Sequence, residues 1–391
     1  MRARRTDLLA LAIVGLFVVP MAIATMLRQA PPVDLAVYLR AGRTFVEGGA
    51  LYADGWGAVL AHPLPYTYPP LWAAVVAPLS WLHWRPVSLG LLALDVVVLI
   101  WMVRLSYARF LQTIDRPRVA MAVLVVVLAV TTPIASVFWF GQVGILLTAA
   151  CLADLVPERT RLPRGVLVGL ATAVKLTPGV FVLYWVATKR WRVAFTAAAT
   201  SIGLWLVTAM VRPDLSREFW TNVIFRTDRV GDPGFVSNQS MYGALVRAGW
   251  SSRPLWGLVA LAALAVGLIR AGDAHRRGDE LAAATIVGLA SLLISPISWI
   301  DHAVWIVPAT GVLLGDGRNR RARAAWATVV VLFLLRLPDW VAGVALPGAP
   351  AAVLENAYLW AYLALVLWLP ARPPTEERAA GYVSVGSSSP S

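Results

Sequence analysis

Apolar runs long enough to cross a bilayer recur from one end of this 391-residue chain to the other. A membrane-spanning helix needs about 17–25 mostly apolar residues. Residues 8–27, 120–140, 191–211, 255–270, 281–300, 324–341 and 351–369 supply candidates, and shorter or broken stretches cover 69–82, 87–103, 143–155, 165–187 and 303–314. Only 14% of the residues are charged and 59% are hydrophobic, whereas a soluble domain is roughly 25% charged. The fold class is therefore all-α, a polytopic transmembrane helical bundle of roughly 10–13 membrane helices. No internal repeat and no second soluble domain is visible, so residues 1–371 read as one integral-membrane domain and the Ser-rich residues 372–391 as a disordered inner tail.

The net charge of +13 does not point to nucleic acid. The basic residues fall in short clusters between apolar runs, at 1–5, 116–118, 159–164, 189–192, 275–277 and 318–323. That is the positive-inside pattern. It makes 29–68 a first outer loop and 212–253 a long second one. Residues 1–5 and the run behind them could be a signal peptide cleaved near Ala22-Ile23-Ala24; the apolar run is long for a signal core, and an uncleaved first helix is preferred. Cys151 is the only cysteine, which excludes an intramolecular disulfide.

Residues 165–187 can be threaded in two ways. If 116–118 and 159–164 are both inside, 120–140 and 143–155 form a hairpin with Gly141-Gln142 at its outer tip. The segment 165–187 then enters and leaves on one side as two half-helices broken near Lys175-Leu176-Thr177-Pro178. Non-helical backbone at membrane depth is tolerated where it lines a cavity. The alternative is one continuous span with those two loops reversed. The first obeys the charge rule and gathers the polar motifs on one side.

Four polar constellations stand against the apolar background: Asp34-x3-Tyr38-x3-Gly42 followed by Leu51-Tyr52 and Tyr66-Thr67-Tyr68-Pro69-Pro70; Gly141-Gln142-Val143; Lys175-Leu176-Thr177-Pro178; and Asn238-Gln239-Ser240 with Ser295-Pro296-Ile297-Ser298-Trp299-Ile300-Asp301-His302. A helix over 34–47, ended by Gly48-Gly49, would put Asp34 and Tyr38 on one face. Asp34 at the water edge of a membrane could accept a proton from a hydroxyl. An unpaired Lys175 ammonium in an apolar stretch costs several kcal/mol and needs an anion, for which a lipid phosphate would serve. His302 could donate to phosphate or sugar, the amides of Gln142, Asn238 and Gln239 could bind sugar hydroxyls, and Tyr66 and Tyr68 suit sugar rings. Each has a plainer reading: Asp34 as a helix cap, Lys175 snorkelling, Gln142 bonding a helix end, His302 starting a helix, and Tyr66, Tyr68, Trp299 and Trp305 as an aromatic belt. Asp95 and Asp154 read as partners of a nearby arginine.

Taken in order, these motifs resemble the family-87 glycosyltransferases of the GT-C superfamily, which include actinobacterial α-1,2-mannosyltransferases, over residues 34 to about 308. The resemblance implies a helical membrane bundle with a cavity open to the outer side of the cell membrane. It implies a polyprenyl-phosphomannose donor, a glycolipid or lipoglycan acceptor, and inversion to an α-(1→2) linkage. Asp34 stands at the general base and His302 near the donor phosphate, while Lys175, Gln142, Asn238, Gln239, Tyr66 and Tyr68 match polar motif positions. Two departures touch the site: Gly144 replaces a common Asn, and Asp301 precedes a single His302 where a His pair is common. No nucleotide-binding loop and no acid cluster resembling a metal site is visible, so no cofactor is expected and metal dependence stays open. A polyprenyl-phosphoarabinose donor, or transport of a lipid-linked sugar, are the alternatives.

Overall fold

Four helices, Thr6–Leu27, Trp84–Ser106, Trp191–Val211 and Arg253–Arg276, are 22, 23, 21 and 24 residues long and apolar enough to cross a bilayer. At 1.5 Å per residue each exceeds the hydrocarbon thickness of about 30 Å. Their outward faces leave Leu11, Leu16, Ile202, Leu206, Met210, Leu258 and Leu261 exposed, a surface suited to lipid. These features come from a computed structural model that describes residues 2–57, 64–157, 160–344 and 348–372. The expected tail 372–391 lies, apart from Arg372, outside the described residues. Among the described residues there is no strand, only an isolated antiparallel bridge between Asn238 and Trp299.

Three further apolar helix pairs are bent, each a broken span or a re-entrant pair: Pro117–Ala129 with Thr132–Phe140 by 73°, Arg320–Leu334 with Leu337–Val344 by 47°, and Gly348–Glu355 with Ala357–Trp368 by 60°. Pro133 and Pro338 stand in the first turn after the first two breaks, where a missing N–H is tolerated. Five apolar helices are shorter: Pro70–Trp81, Gly144–Leu155, Thr177–Ala187, Glu280–Ile294 and Ile300–Leu314. The roughly 10–13 membrane helices read from the sequence thus divide into four to seven able to cross and a set of short ones.

The short helices make the site. Helix Val166–Val174 stops at Lys175, which is extended, and a 3₁₀ turn over Thr177–Gly179 leads into Val180–Ala187. Gly165 packs on Val193 and Ala197, Gly169 on Ala197 and Thr200, and the Trp205 indole donates to the Ala173 carbonyl at 3.1 Å. Val166–Val174 therefore climbs alongside Trp191–Val211. Val180–Ala187 descends again, because only three residues join Ala187 to Trp191. Both ends of the broken pair lie at one end of the bundle, as in the first threading. At that end Glu280 accepts from Tyr184 and Arg190, both at 3.0 Å, and meets His275 Nδ1 at 2.6 Å.

Asp154 and Asp95 are not side-chain partners of an arginine. The Asp154 carboxylate accepts the N–H groups of Gly165 and Val168 at 2.9–3.0 Å, supplying bonds that the start of Val166–Val174 lacks. Arg164 bonds the carbonyls of Asp154 and Leu155 instead. Asp95 is buried, and its Oδ1 has no hydrogen-bond partner among the described residues.

Over the opposite end, the two outer loops build a small core of their own. Helix Val33–Val46 has the predicted extent, with Gly48 at φ 78° after it. Gly42 faces Pro70–Trp81 so closely that a Cβ would lie 2.9 Å from Ala77 backbone. Tyr38, Tyr52, Trp56, Tyr66 and Tyr68 pack with Leu215, Phe219 and Val223 of the second loop. Arg212 ties the loops by donating to the carbonyls of Phe45 and Gly49 at 2.8 Å.

A Cβ on Gly165 or Gly169 would lie 2.5 or 2.6 Å from a carbonyl oxygen of the neighbouring helix, which explains small residues at this seam. Gly169→Leu is expected to destabilise the bundle by about 1–3 kcal/mol, read as a lower unfolding midpoint in detergent. Gly203→Leu, where a Cβ meets open space, should leave the midpoint no lower. Equal midpoints for both variants would contradict this packing.

Candidate active site

A cavity of about 250 Å³ opens where the short helices end, between them and the two outer loops. Asp34, Tyr38, Tyr68, Gln142, Lys175, Trp299 and His302 line it, so motifs from all four constellations meet there. Helix Val33–Val46 carries Asp34 in its first turn, and the capping position falls on Pro32 without a side-chain bond, so Asp34 is not the cap.

Gln142 sets the geometry around Asp34. Gly141 adopts φ 69°, ending Thr132–Phe140 and turning the chain so that Gln142 points into the site. Its Oε1 accepts from Tyr38 at 2.8 Å, from the Val143 N–H at 3.0 Å and from Tyr68 at 3.2 Å. With the oxygen so engaged, the amide N–H groups are left free to act on the Asp34 carboxylate, whose proton affinity Gln142 lowers. Burial pushes the Asp34 carboxyl up to about 7; the Asp301 carboxylate adds to the rise, and Lys175 and Gln142 work against it.

Lys175 stands at the break between the half-helices. Its Nζ lies 2.8 Å from His302 Nε2 and 5.4 Å from the centre of the Tyr68 ring. An ammonium donating to Nε2 leaves the His302 proton on Nδ1. The Asp301 carboxylate is buried, its Oδ2 is 3.7 Å from His302 Nε2, and that oxygen has no hydrogen-bond partner among the described residues. Asp34 and Asp301 thus supply the negative charge that Lys175 requires. The two departures from the family pattern touch: a Cβ on Gly144 would lie 3.3 Å from the Asp301 carbonyl oxygen, leaving no room for a larger side chain without a shift.

Asn238 and Gln239 are fully buried and hydrogen-bonded throughout, and they do not line the cavity. Asn238 donates to Pro233 and Pro296 and accepts from Ser240 and Ser298. Gln239 donates to Val236 and Glu355 and accepts from Tyr358 and Leu359. With their amide atoms so used, they pin the second outer loop to the helix ends and have no capacity left for sugar. Tyr66 is likewise buried, donating to the Pro69 carbonyl at 3.0 Å behind Tyr68. Trp305 packs on Phe181 and Trp299 lines the cavity, so neither forms a lipid-facing belt. One lining residue, Arg229, belongs to none of the sequence motifs; nothing local distinguishes it from the other loop arginines. Among the described residues no group of three or more His, Cys, Asp or Glu is arranged to hold a metal ion.

A helical membrane bundle with a half-buried carboxylate, a lysine and a histidine around one cavity defines the class, a polytopic membrane protein with a cluster of charged side chains at a cavity. The sequence pattern of glycosyltransferase family 87 matches residues 66–296, and the chain belongs to that family. Asp34 precedes the matched segment. The chain is 35% identical over 361 residues to a polyprenol-phosphate-mannose-dependent α-(1-2)-phosphatidylinositol mannoside mannosyltransferase of Mycolicibacterium smegmatis, covering 85% of this chain and 80% of that one. It is 34% identical to the protein of the same description from Mycobacterium tuberculosis, covering 78% and 75%. A polyprenol-phosphate-mannose-dependent α-(1-2)-phosphatidylinositol pentamannoside mannosyltransferase of Mycolicibacterium smegmatis is 34% identical, covering 86% and 84%. No solved structure matches the chain.

Two measurements check this electrostatic arrangement. Asp301→Asn removes a charge that raises Asp34, so the ascending limb of the pH–activity profile, near 7 in the wild type, should move to lower pH. Lys175→Met removes a charge that lowers it and should move the limb to higher pH. Unmoved limbs would separate Asp34 from these neighbours. Gln239→Ala strands buried N–H and carbonyl groups and is expected to cost about 1–3 kcal/mol of stability, read by thermal unfolding, with the donor KM of the folded fraction unchanged.

Proposed function

We propose that this membrane glycosyltransferase moves mannose from polyprenyl-phosphomannose to a mannose hydroxyl of a phosphatidylinositol mannoside or related lipoglycan, forming an α-(1→2) linkage by inversion. The observation that carries the chemistry is Asp34: a half-buried carboxyl lining the cavity beside Gln142, Lys175 and His302, with a proton affinity near neutrality. Such a group is ionised often enough to accept a proton and basic enough to keep it. The printed names of the relatives favour mannose as the transferred sugar and a phosphatidylinositol mannoside as the acceptor.

In the proposed reaction the acceptor hydroxyl lies against Asp34. Its oxygen attacks the anomeric carbon from the face opposite the phosphate, and its proton passes to Asp34. The anomeric carbon–oxygen bond to phosphate breaks, and that electron pair leaves with polyprenyl phosphate. The β-linked donor thereby gives an α-linked product. Lys175 and His302 on the cavity wall supply positive charge and an N–H near the reacting groups, where charge moves from Asp34 to the leaving oxygen. Tyr68 lines the same space and suits a sugar ring. The charge pattern of the loops supports a position for this cavity at the outer face of the cell membrane.

The test is transfer of label from radiolabelled polyprenyl-phosphomannose into phosphatidylinositol mannosides by purified protein. Asp34→Asn, nearly isosteric, should lose at least about 10²-fold in kcat while keeping its unfolding midpoint. Normal turnover by that variant would remove Asp34 as the base. No transfer by the wild type with mannose or arabinose donors would turn the reading to transport.

A further inference from the structure

We infer that Arg229 is the site's ligand for a phosphodiester anion of a lipid substrate. The inference rests on the reading of the protein as a lipid-phosphate-dependent transferase and adds a residue and a charge to it.

Arg229 stands in the second outer loop, in the 3₁₀ turn Thr227–Val230. Its side chain is only 6% exposed, yet it lines the same cavity as Asp34. Among the described residues neither Nε nor Nη2 has a hydrogen-bond partner. Among them its one charged contact is Nη1 to Asp54 at 3.4 Å, and Asp54 is 89% exposed and shared with Arg226. So exposed a carboxylate offsets little of a buried guanidinium. Buried polar groups are almost always satisfied, and a guanidinium with two unpaired donor nitrogens beside a cavity is poised for an acceptor that arrives with substrate. Two N–H groups in a rigid fork match two phosphate oxygens.

The surroundings separate Arg229 from Lys175. Lys175 is bonded to His302 and lies close to the carboxylates of Asp34 and Asp301, so its charge is already offset. The fold also holds Arg229 in place. Gly231 follows the turn at φ 128°, and a Cβ there would lie 3.0 Å from the Trp299 ring that lines the cavity. The loop is thus pressed onto the cavity wall two residues after Arg229. Donor and acceptor both carry a phosphodiester monoanion, one joining polyprenol to sugar and the other joining diacylglycerol to inositol, so the chemistry is shared and experiment has to tell them apart.

The experiment measures binding without turnover, using full-length protein in nanodiscs and two probes, polyprenyl monophosphate and short-chain phosphatidylinositol. Wild type, Arg229→Gln, Arg229→Lys and Asp54→Asn are compared. For one probe, Arg229→Gln should raise Kd at least tenfold. Arg229→Lys, which keeps the charge but loses the fork, should fall between Arg229→Gln and wild type. Asp54→Asn should bind like wild type. Weakened polyprenyl phosphate assigns the donor, and weakened phosphatidylinositol assigns the acceptor. Less than a twofold change for both probes overturns the inference, and so does an Asp54→Asn loss equal to that of Arg229→Gln, which would make Arg229 a structural tie. If Arg229→Gln does not fold, Arg229→Lys decides by the same twofold limit. A wild type that transfers no mannose would overturn the proposed function and leave this binding result standing.

Discussion

A lysine ammonium in an apolar bundle requires negative charge and hydrogen-bond acceptors close by, and the arrangement of this site depends on how Lys175 obtains them. The helix breaks at Lys175, which places its side chain among ends of other helices instead of against lipid. His302 accepts a hydrogen bond from it, the Tyr68 ring faces it, and the Asp34 and Asp301 carboxylates balance its charge. Those partners come from three separate stretches of chain. Moving any one element would leave a buried charge unpaired, so the electrostatics of one residue bind the outer loop, the half-helices and the segment around His302 into a single unit.

The short helices give that unit its room. Glu280–Ile294 has 15 residues and packs beside Arg253–Arg276 with 24, so it ends well below its neighbour's outer terminus. Gly144–Leu155 and the two half-helices are shorter still. The outer half of the bundle is left without helices at its centre, and the two outer loops close that space with an aromatic core. Asp34 is thereby half-buried although it belongs to a surface loop. That burial raises its proton affinity, and Gln142, held by two tyrosines, works against the rise.

Much of this was readable from residue types and order. The helix after Pro32, the break at Lys175 and the re-entrant path followed from glycines, prolines and the distribution of basic residues. Asp34, Gln142, Lys175 and His302 stood out because polar groups are rare and costly in such surroundings. The reading went astray at Asn238, Gln239 and Tyr66, which are equally polar and equally placed in motifs. Their atoms satisfy backbone groups of other segments, a role that depends on which carbonyls lie within 3 Å and leaves no trace in the local sequence. Arg229 shows the converse: an unremarkable loop arginine lines the cavity, in a loop whose Gly231 packs against Trp299.

The sequence by itself determined that this chain is a helical membrane bundle and where its polar chemistry is concentrated, because lipid admits few polar groups and penalises each one that lacks a function or a partner. The tertiary structure decided which of those groups face the cavity and which are consumed in holding it open. It also decided that Asp34 shares its surroundings with Asp301 and Lys175. Burial, hydrogen-bond satisfaction and charge balance are properties of neighbours in space, and here the neighbours are up to two hundred and sixty-seven positions apart, as Asp34 and Asp301 are.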